Sequence, residues 1–403
     1  MKTVAVIATF DTKGAEAEFL RHAIEAAGVA VFSVDVGVLG EHSFRADIGP
    51  GDVAAAGETT LAALVAGGDR GVAVEAMARG AAVTVRGLFD AGRIHGVISL
   101  GGSAGTMIGT AAMRALPLGV PKVMVSTLAS GDTRPYVGTR DICMMYSVLD
   151  IAGLNVLSRT VLSNAAAAVC GMVSQAAQGE AKRRLTVAAT MFGVTTLCVT
   201  LARQRLEEAG CEVMVFHATG SGGRAMEELI ADGLIDGVLD VTTTELADEL
   251  VGGVMSAGPD RLRAAGRRGI PQVVCPGAID MVNFGPLDTV PAAFRNRQLH
   301  VHNATVTLMR TTAEECAEIG KRTAERLNLA AGPVTLLLPM RGFSGIDVAG
   351  GVFDSQAARD AYRDAVVAHA RPGIQVVEMP LRINDGEFAT AAAEALLAVL
   401  KRG

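Results

Sequence analysis

The chain has 403 residues, half of them hydrophobic and 19% charged, with a formal net charge of −6. That length exceeds one ordinary hydrophobic core and sets an expectation of two domains. The acidic balance, 4% aromatic content and absence of Trp exclude a broad basic, aromatic-lined surface for nucleic acid or an anionic membrane, while leaving room for a local pocket for a small anion.

The first predicted elements are VAVIAT (4–9), a short strand, GAEAEFLRHAIEAAG (14–28), a helix with Gly28 at its C-cap, and AVFSVDVGV (30–38), a second strand. Strand, helix, strand is the βαβ unit of a parallel sheet. An Ala- and Gly-rich stretch follows at 40–80. GVISLGG (96–102) then turns into a helix, GVPKVMVST (119–127) supplies another strand, and an Ala-rich helix fills 160–178. The polar run GEAKRR (179–184) reads as a linker, giving domains at 1–180 and 185–403.

The same grammar returns in the second half. TVAATMFG (186–193) precedes TTLCVTLARQRLEEAG (195–210), with Gly210 in the place of Gly28, and CEVMVFHATGSGG (211–223) follows. ELIADGLIDGVLDVTT (228–243) parallels GLFDAGRIHGVISLGG (87–102), and GIPQVVCPG (269–277) parallels GVPKVMVST. The expected fold is α/β, with two Rossmann-like doubly wound parallel-sheet domains facing an interdomain cleft. The halves read as a pseudo-repeat, with 40–80 as extra chain in the first.

Ligands of open parallel sheets bind beyond the strand C-termini, so the strand ends carry the candidates. In TFDTKG (9–14), Asp11, Thr12 and Lys13 lie where a helix starts, and helix-start amides with a lysine suit phosphate; Asp11 reads equally as a cap. In GGSAGT (101–106), Gly101, Gly102 and Gly105 let backbone approach a ligand, and Ser103 and Thr106 add hydroxyls. The same residues match GxSxG, which raises a serine nucleophile at Ser103 as a weaker alternative without assigned partners. In STLASGD (126–132), Ser126, Thr127, Ser130, Gly131 and Asp132 form a polar loop, followed by Arg134, Arg140 and Asp141. Arginines beside hydroxyls suit phosphate, and Asp132 or Asp141 suits ribose hydroxyls or Mg²⁺; the bland alternative is a solvated loop of surface ion pairs.

The second half has its own anion-friendly turn, Thr219 to Gly223 with Arg224. Cys275 precedes a Pro-Gly turn and is weighed as a thiolate nucleophile against a small core residue. The other five cysteines lack any CxxC pairing, so no metal cluster is signalled. Asp280 and Asn283 share one loop, His300 and His302 are expected on one side of a strand, and Arg310 and Arg341 end strands. Two imidazoles suit a metal or an anionic substrate, but no third ligand has characteristic spacing, so no metal is assigned.

IATFDTKG, SLGGSAGT, STLASGD, CPGAIDMVNFG, HVHNATVTLMRTT and PMRGFSGID, in order and across essentially the whole chain, resemble a family of bacterial and fungal proteins. That family is related to the ATP-binding N-terminal part of the tomato mosaic virus resistance protein. The resemblance implies two Rossmann-like domains and a homodimer or higher homo-oligomer. It also implies ATP held mainly by the first domain, at Asp11 to Lys13, Gly101 to Gly105 and Ser126 to Asp132. The plant protein continues into a further domain, so its antiviral action is not carried over.

The expected function is a nucleotide-binding metabolic enzyme using ATP, with Mg²⁺ an open option, on a small anionic substrate in the cleft. Cys275, Asp280, His300, His302, Arg310 and Arg341 are its catalytic candidates. The alternative is a nucleotide-responsive regulatory protein without turnover. A nicotinamide dehydrogenase is disfavoured because TFDTKG replaces GxGxxG, with Asp35 as its one supporting sign. No nucleic-acid or membrane partner is expected. The opening MKTVAVIATFDTKG has too short an apolar run for a signal peptide, and no 18-residue apolar stretch occurs, so the expected location is cytoplasmic.

Overall fold

Apolar runs that alternate between two buried faces build the first sheet. In the computed structural model, which describes residues 1–40, 44–175 and 184–400, the chain divides into two units, Met1–Ala181 and Lys182–Gly403. The anticipated linker at 179–184 lies, apart from Arg184, outside the described residues.

The first unit runs β1 (Thr3–Ala8), α1 (Phe10–Ala26), β2 (Ala30–Asp35), α2 (Pro50–Ala56), α3 (Leu61–Gly67), α4 (Arg70–Asp90), β3 (Gly96–Gly101), α5 (Ser103–Arg114), β4 (Lys122–Ser126), α6 (Arg134–Val137), β5 (Cys143–Tyr146) and α7 (Val156–Ser174). Its strands are all parallel in the order β2-β1-β3-β4-β5. Ala5, Ile7 and Val97 pack on one side with Leu64, Met77 and Met113. Val4, Val6, Ile98 and Leu100 pack on the other with Leu20, Ile24, Leu162 and Val169. This burial of both faces explains the near-continuous Val/Ile runs. The α7 helix is long and apolar enough to cross a membrane by length and composition. Here its Leu162, Ala165, Val169 and Val173 lie in that second core.

The second unit runs β6 (Thr186–Met191), α8 (Thr196–Glu208), β7 (Glu212–His217), α9 (Ser221–Ala231), β8 (Gly237–Thr242), α10 (Glu245–Val251), α11 (Ala264–Arg268) and β9 (Gln272–Gly277). It continues with β10 (Met281–Phe284), β11 (Leu299–Asn303), β12 (Val306–Arg310), α12 (Ala313–Leu327), β13 (Val334–Pro339), α13 (Gln356–His369), β14 (Gln375–Met379) and α14 (Gly386–Leu400). Its six-stranded parallel sheet has the order β14-β13-β9-β8-β6-β7, and β10-β12-β11 form a separate antiparallel sheet. Both units place the first strand between the second and third, β2-β1-β3-β4 against β7-β6-β8-β9. Both are therefore α/β with Rossmann-like winding, and each has a switch point where successive helices cover opposite faces.

The stretch read as extra chain folds mainly into α2, α3 and the start of α4. Two glycines let α2 and α4 cross. A Cβ on Gly80 would stand 1.9 Å from the Val53 carbonyl oxygen, and one on Gly57 would stand 2.4 Å from that of Ala76. Neither obstacle is a side chain that can rotate away. Gly80→Ala is expected to destabilise the first unit by about 1–3 kcal/mol through overpacking, measured as a lower urea midpoint; an unchanged midpoint would contradict this crossing.

Candidate functional site

A cavity of about 530 Å³ opens at the C-terminal ends of β1 and β3, the switch point of the first sheet. Thr9, Asp11, Thr12 and Lys13 line it from the start of α1, and Gly101, Gly102, Ser103 and Gly105 from the start of α5. The opposite wall is Leu64, Val65, Ala73, Val74 and Met77 of α3 and α4, with Val38, Leu39 and Ile108. Asp69, Arg70 and Asp150 add charge. Sequence reasoning missed this apolar wall because it lies in the 40–80 stretch, where composition suggested only extra chain.

Two helices start at the cavity without a cap from the residue before them, and the first amide of α1, on Phe10, is held instead by Asp35. Thr9 precedes α1 and Gly102 precedes α5, and neither side receives a capping hydrogen bond. Elsewhere in the unit, Thr60, Asp69 and Asn155 cap α3, α4 and α7 with their side chains, while α2 and α6 also start without a side-chain cap. Asp11 is not the cap of α1. Its Oδ2 accepts from the Leu39 amide at 2.7 Å. The buried Asp35 accepts from the amides of Phe10 at 3.0 Å and Gly37 at 2.8 Å, fastening β2 to the β1 turn. These contacts explain Asp35 without a ribose.

The glycines of the α5 turn divide by role. A Cβ on Gly101 would lie 2.8 Å from Gly105 Cα, and one on Gly105 would lie 3.0 Å from the Leu100 carbonyl oxygen. Those two permit helix and strand to pack closely. Gly102 meets only Thr127 Oγ1, at 3.8 Å, and leaves open space. Ser103 is exposed at the first position of α5. Thr106 corrects an expectation: it is buried, with its hydroxyl 2.7 Å from that of Ser126. Ser126 is likewise buried and accepts from the Leu128 amide at 2.9 Å.

The rest of the third loop also departs from the sequence reading. Thr127, Ser130, Gly131 and Asp132 do not line the cavity. Asp132 forms an exposed pair with Arg134 at 2.8 Å, and hydrogen bonding to Arg134 holds its carboxyl down at about 2. Asp141 pairs with the buried Lys122 at 2.7 Å and accepts from the Gly119 amide at 2.8 Å. This is the solvated and structural alternative, realised.

In the second unit the anion-friendly turn is filled by the protein itself. Glu245 Oε1 accepts from the amides of Gly220 at 2.7 Å and Gly223 at 3.0 Å. A Cβ on Gly223 would lie 2.0 Å from Glu245 Oε2. Glu227 serves α11 similarly, accepting from Leu262, Arg263 and Ala264 amides at 2.6, 3.2 and 2.7 Å. Arg261, 1% exposed, joins Glu245 at 2.6 Å, Asp240 at 2.5 Å and Glu227 at 3.3 Å. Burial opposes its charge, but these carboxylates together leave its pKa above the ordinary value. No motif marked Arg261, since its three partners come from distant elements.

The catalytic candidates of the second unit are largely committed to internal contacts. Cys275 is buried, and burial pushes its thiol well up, against a thiolate nucleophile. Asp280 accepts from Ser344 Oγ at 2.8 Å; burial, aided by Asp347, pushes it up to about 7. Arg310 donates to the Asp280 carbonyl at 3.1 Å and to Asp347 at 3.4 Å, while Arg359 donates to Asp347 at 2.6 Å. Arg341 is exposed and outside this network. His300 lies edge-on to Phe353, with centroids 6.2 Å apart. The strand register shifts between Val301 and Asn303, so His302 sits at a bulge and the two imidazoles do not follow simple alternation. Among the described residues, no group of three His, Cys, Asp or Glu side chains is disposed to hold a metal.

The raised pKa of Asp280 has a definite sign. The folded state holds this proton until about pH 7, whereas the free carboxyl loses it near 3.8. Asp280 therefore costs stability increasingly as pH rises between those values. Asp280→Asn is expected to gain urea resistance relative to wild type across that window, with little gain below it. Parallel pH profiles for the two proteins would contradict the buried protonated carboxyl.

Comparison with known proteins places the whole chain. Residues 2–178 match the N-terminal domain, and residues 184–400 the C-terminal domain, of the uncharacterised protein family UPF0261. A UPF0261 protein of Clostridium tetani is 52% identical over 405 residues, covering 100% of both chains. The ToMV resistance protein Tm-1(GCR237) of Solanum lycopersicum is 44% identical over 337 residues, covering 82% of this chain and 45% of the tomato protein. A putative UDP-N-acetylglucosamine 2-epimerase from Listeria monocytogenes shares 11% identity with a TM-score of 0.23, covering 97% of this chain and 94% of its own. That last likeness is too low to inform function. Continuous matches through both units establish that the chain belongs to the UPF0261 family and is related to the tomato Tm-1 proteins.

Proposed function

We propose that the first unit binds a nucleotide, with ATP as the ligand named by the motif resemblance, at the β1/β3 switch point. The carrying observation is the uncapped start of α5 opening, beside the turn into α1, on one cavity with Lys13 and Arg70 in its lining. Helix-start amides and cations attract phosphate. The apolar wall of Leu64, Val65, Val74 and Met77 suits a flat base. In this reading Ser103 and the Gly102 turn meet the phosphates, and Lys13 supplies a mobile cation.

Binding leads either to turnover of a small anionic cosubstrate or to a nucleotide-responsive change without turnover. The second is favoured because Cys275, Asp280 and Arg310 are buried, and the Asp280 carboxyl and the Arg310 guanidinium are held by internal partners. Isothermal titration with ATP, with and without Mg²⁺, tests the site. Wild type is expected to bind in the micromolar range, and Ser103→Trp to lose at least about a hundredfold in affinity, as expected for blocked phosphate contacts. Its unfolding midpoint should stay near wild type, because Ser103 is exposed. A wild type that binds no ATP would overturn the nucleotide reading.

A further inference from the structure

We propose that Arg263 and Arg326 form a phosphate-binding site in the second unit, where the chain entering α11 meets the last turn of α12. Charges taken out of water normally pair, and the other arginines of this unit that are not exposed follow that rule. Arg261, Arg297, Arg310, Arg322, Arg359 and Arg363 are buried or half-buried, and each lies within 3.4 Å of a carboxylate oxygen. Arg263 and Arg326 are also half-buried, yet neither makes an ion pair among the described residues. The Arg263 Nε is buried without a hydrogen-bond partner.

The two guanidiniums are neighbours. Arg326 donates through Nη1 to the Arg261 carbonyl at 3.2 Å, two residues before Arg263. Burial, and then the charge of Arg263, lower the Arg326 pKa from its ordinary value, as a like charge close by requires. The carboxylates around them are engaged elsewhere. Glu227 receives Arg261 and the amides of Leu262, Arg263 and Ala264. Glu318 pairs with Arg322 at 2.7 Å. Glu249 raises the Arg326 pKa through its charge, but it accepts from the Ser256 hydroxyl and forms no ion pair with Arg326. Two guanidiniums held side by side without a paired carboxylate suit one dianion. A phosphate group is close to doubly charged near neutral pH and offers several acceptor oxygens, whereas a carboxylate brings a single charge.

Titration calorimetry of the full chain with inorganic phosphate, at constant ionic strength, tests this. It is run on Ser103→Trp, which blocks the glycine turn of the first unit, so the result does not depend on whether ATP binds there. This protein is expected to bind phosphate, and adding Arg263→Gln to weaken binding at least about tenfold, since a charge-assisted contact is lost. Adding Arg326→Lys instead keeps the charge but not the planar fork, and is expected to weaken binding severalfold. Arg263→Gln removes a charge without an ion pair, so its urea midpoint in phosphate-free buffer should be no lower than that of its parent. Glycerol phosphate, run in parallel, separates a phosphate monoester from free phosphate, and tighter binding of either supports the site and names its source. No phosphate binding by Ser103→Trp, or undiminished binding after Arg263→Gln or Arg326→Lys, would overturn the site. A lower phosphate-free midpoint in Arg263→Gln would show that the fold already satisfies this charge, and would overturn it too.

Discussion

Backbone amides at the start of a helix need an acceptor, and in a doubly wound sheet those starts collect at one edge. How this chain answers that requirement differs between its two units and organises both. The second unit answers with its own carboxylates: Glu245 on the α9 turn and Glu227 on α11, both paired with Arg261. The first unit gives the first amide of α1 to Asp35 but leaves α5 without a side-chain cap where it borders a cavity. The same local chemistry thus becomes an internal brace in one half and a candidate ligand site in the other.

That contrast separates stability from binding. Arg261 and its three carboxylates are a buried cluster whose members depend on one another, since removing one partner leaves uncompensated charge in low dielectric. Asp280, Asp347, Arg310 and Arg359 form another, linking the β9–β10 turn, the end of β12, the segment after β13 and α13. Those charges fix loops against the sheet. In the first unit, Asp35 is the internal brace, and Lys13, bound to a carbonyl, retains a charge that an anion can claim.

Much of the fold was legible in the sequence because buried parallel strands leave continuous Val/Ile runs, and Gly28 and Gly210 close helices at equivalent places. The small antiparallel sheet was not, since β10 and β12 pair across an intervening segment that carries no periodic signal. The lining of the cavity at the β1 and β3 ends was legible from Lys13, Ser103 and their glycines. Thr106 and Ser126 were misread because a hydroxyl at a strand end looks the same whether it faces a ligand or, as here, another hydroxyl. The turn at Gly220 to Gly223 carried a correct anion signal, but the anion is Glu245, more than twenty residues away. Spacing shows that an acceptor is needed and cannot show whether the chain supplies it.

The most direct measurement is a crystal structure of the full chain grown with ATP. The account predicts phosphate oxygens within hydrogen-bonding distance of the Gly102–Ser103 amides and of Lys13, with the base against Leu64, Val74 and Met77. ATP located away from this cavity, or a base at the glycine turn with phosphates in solvent, would contradict it.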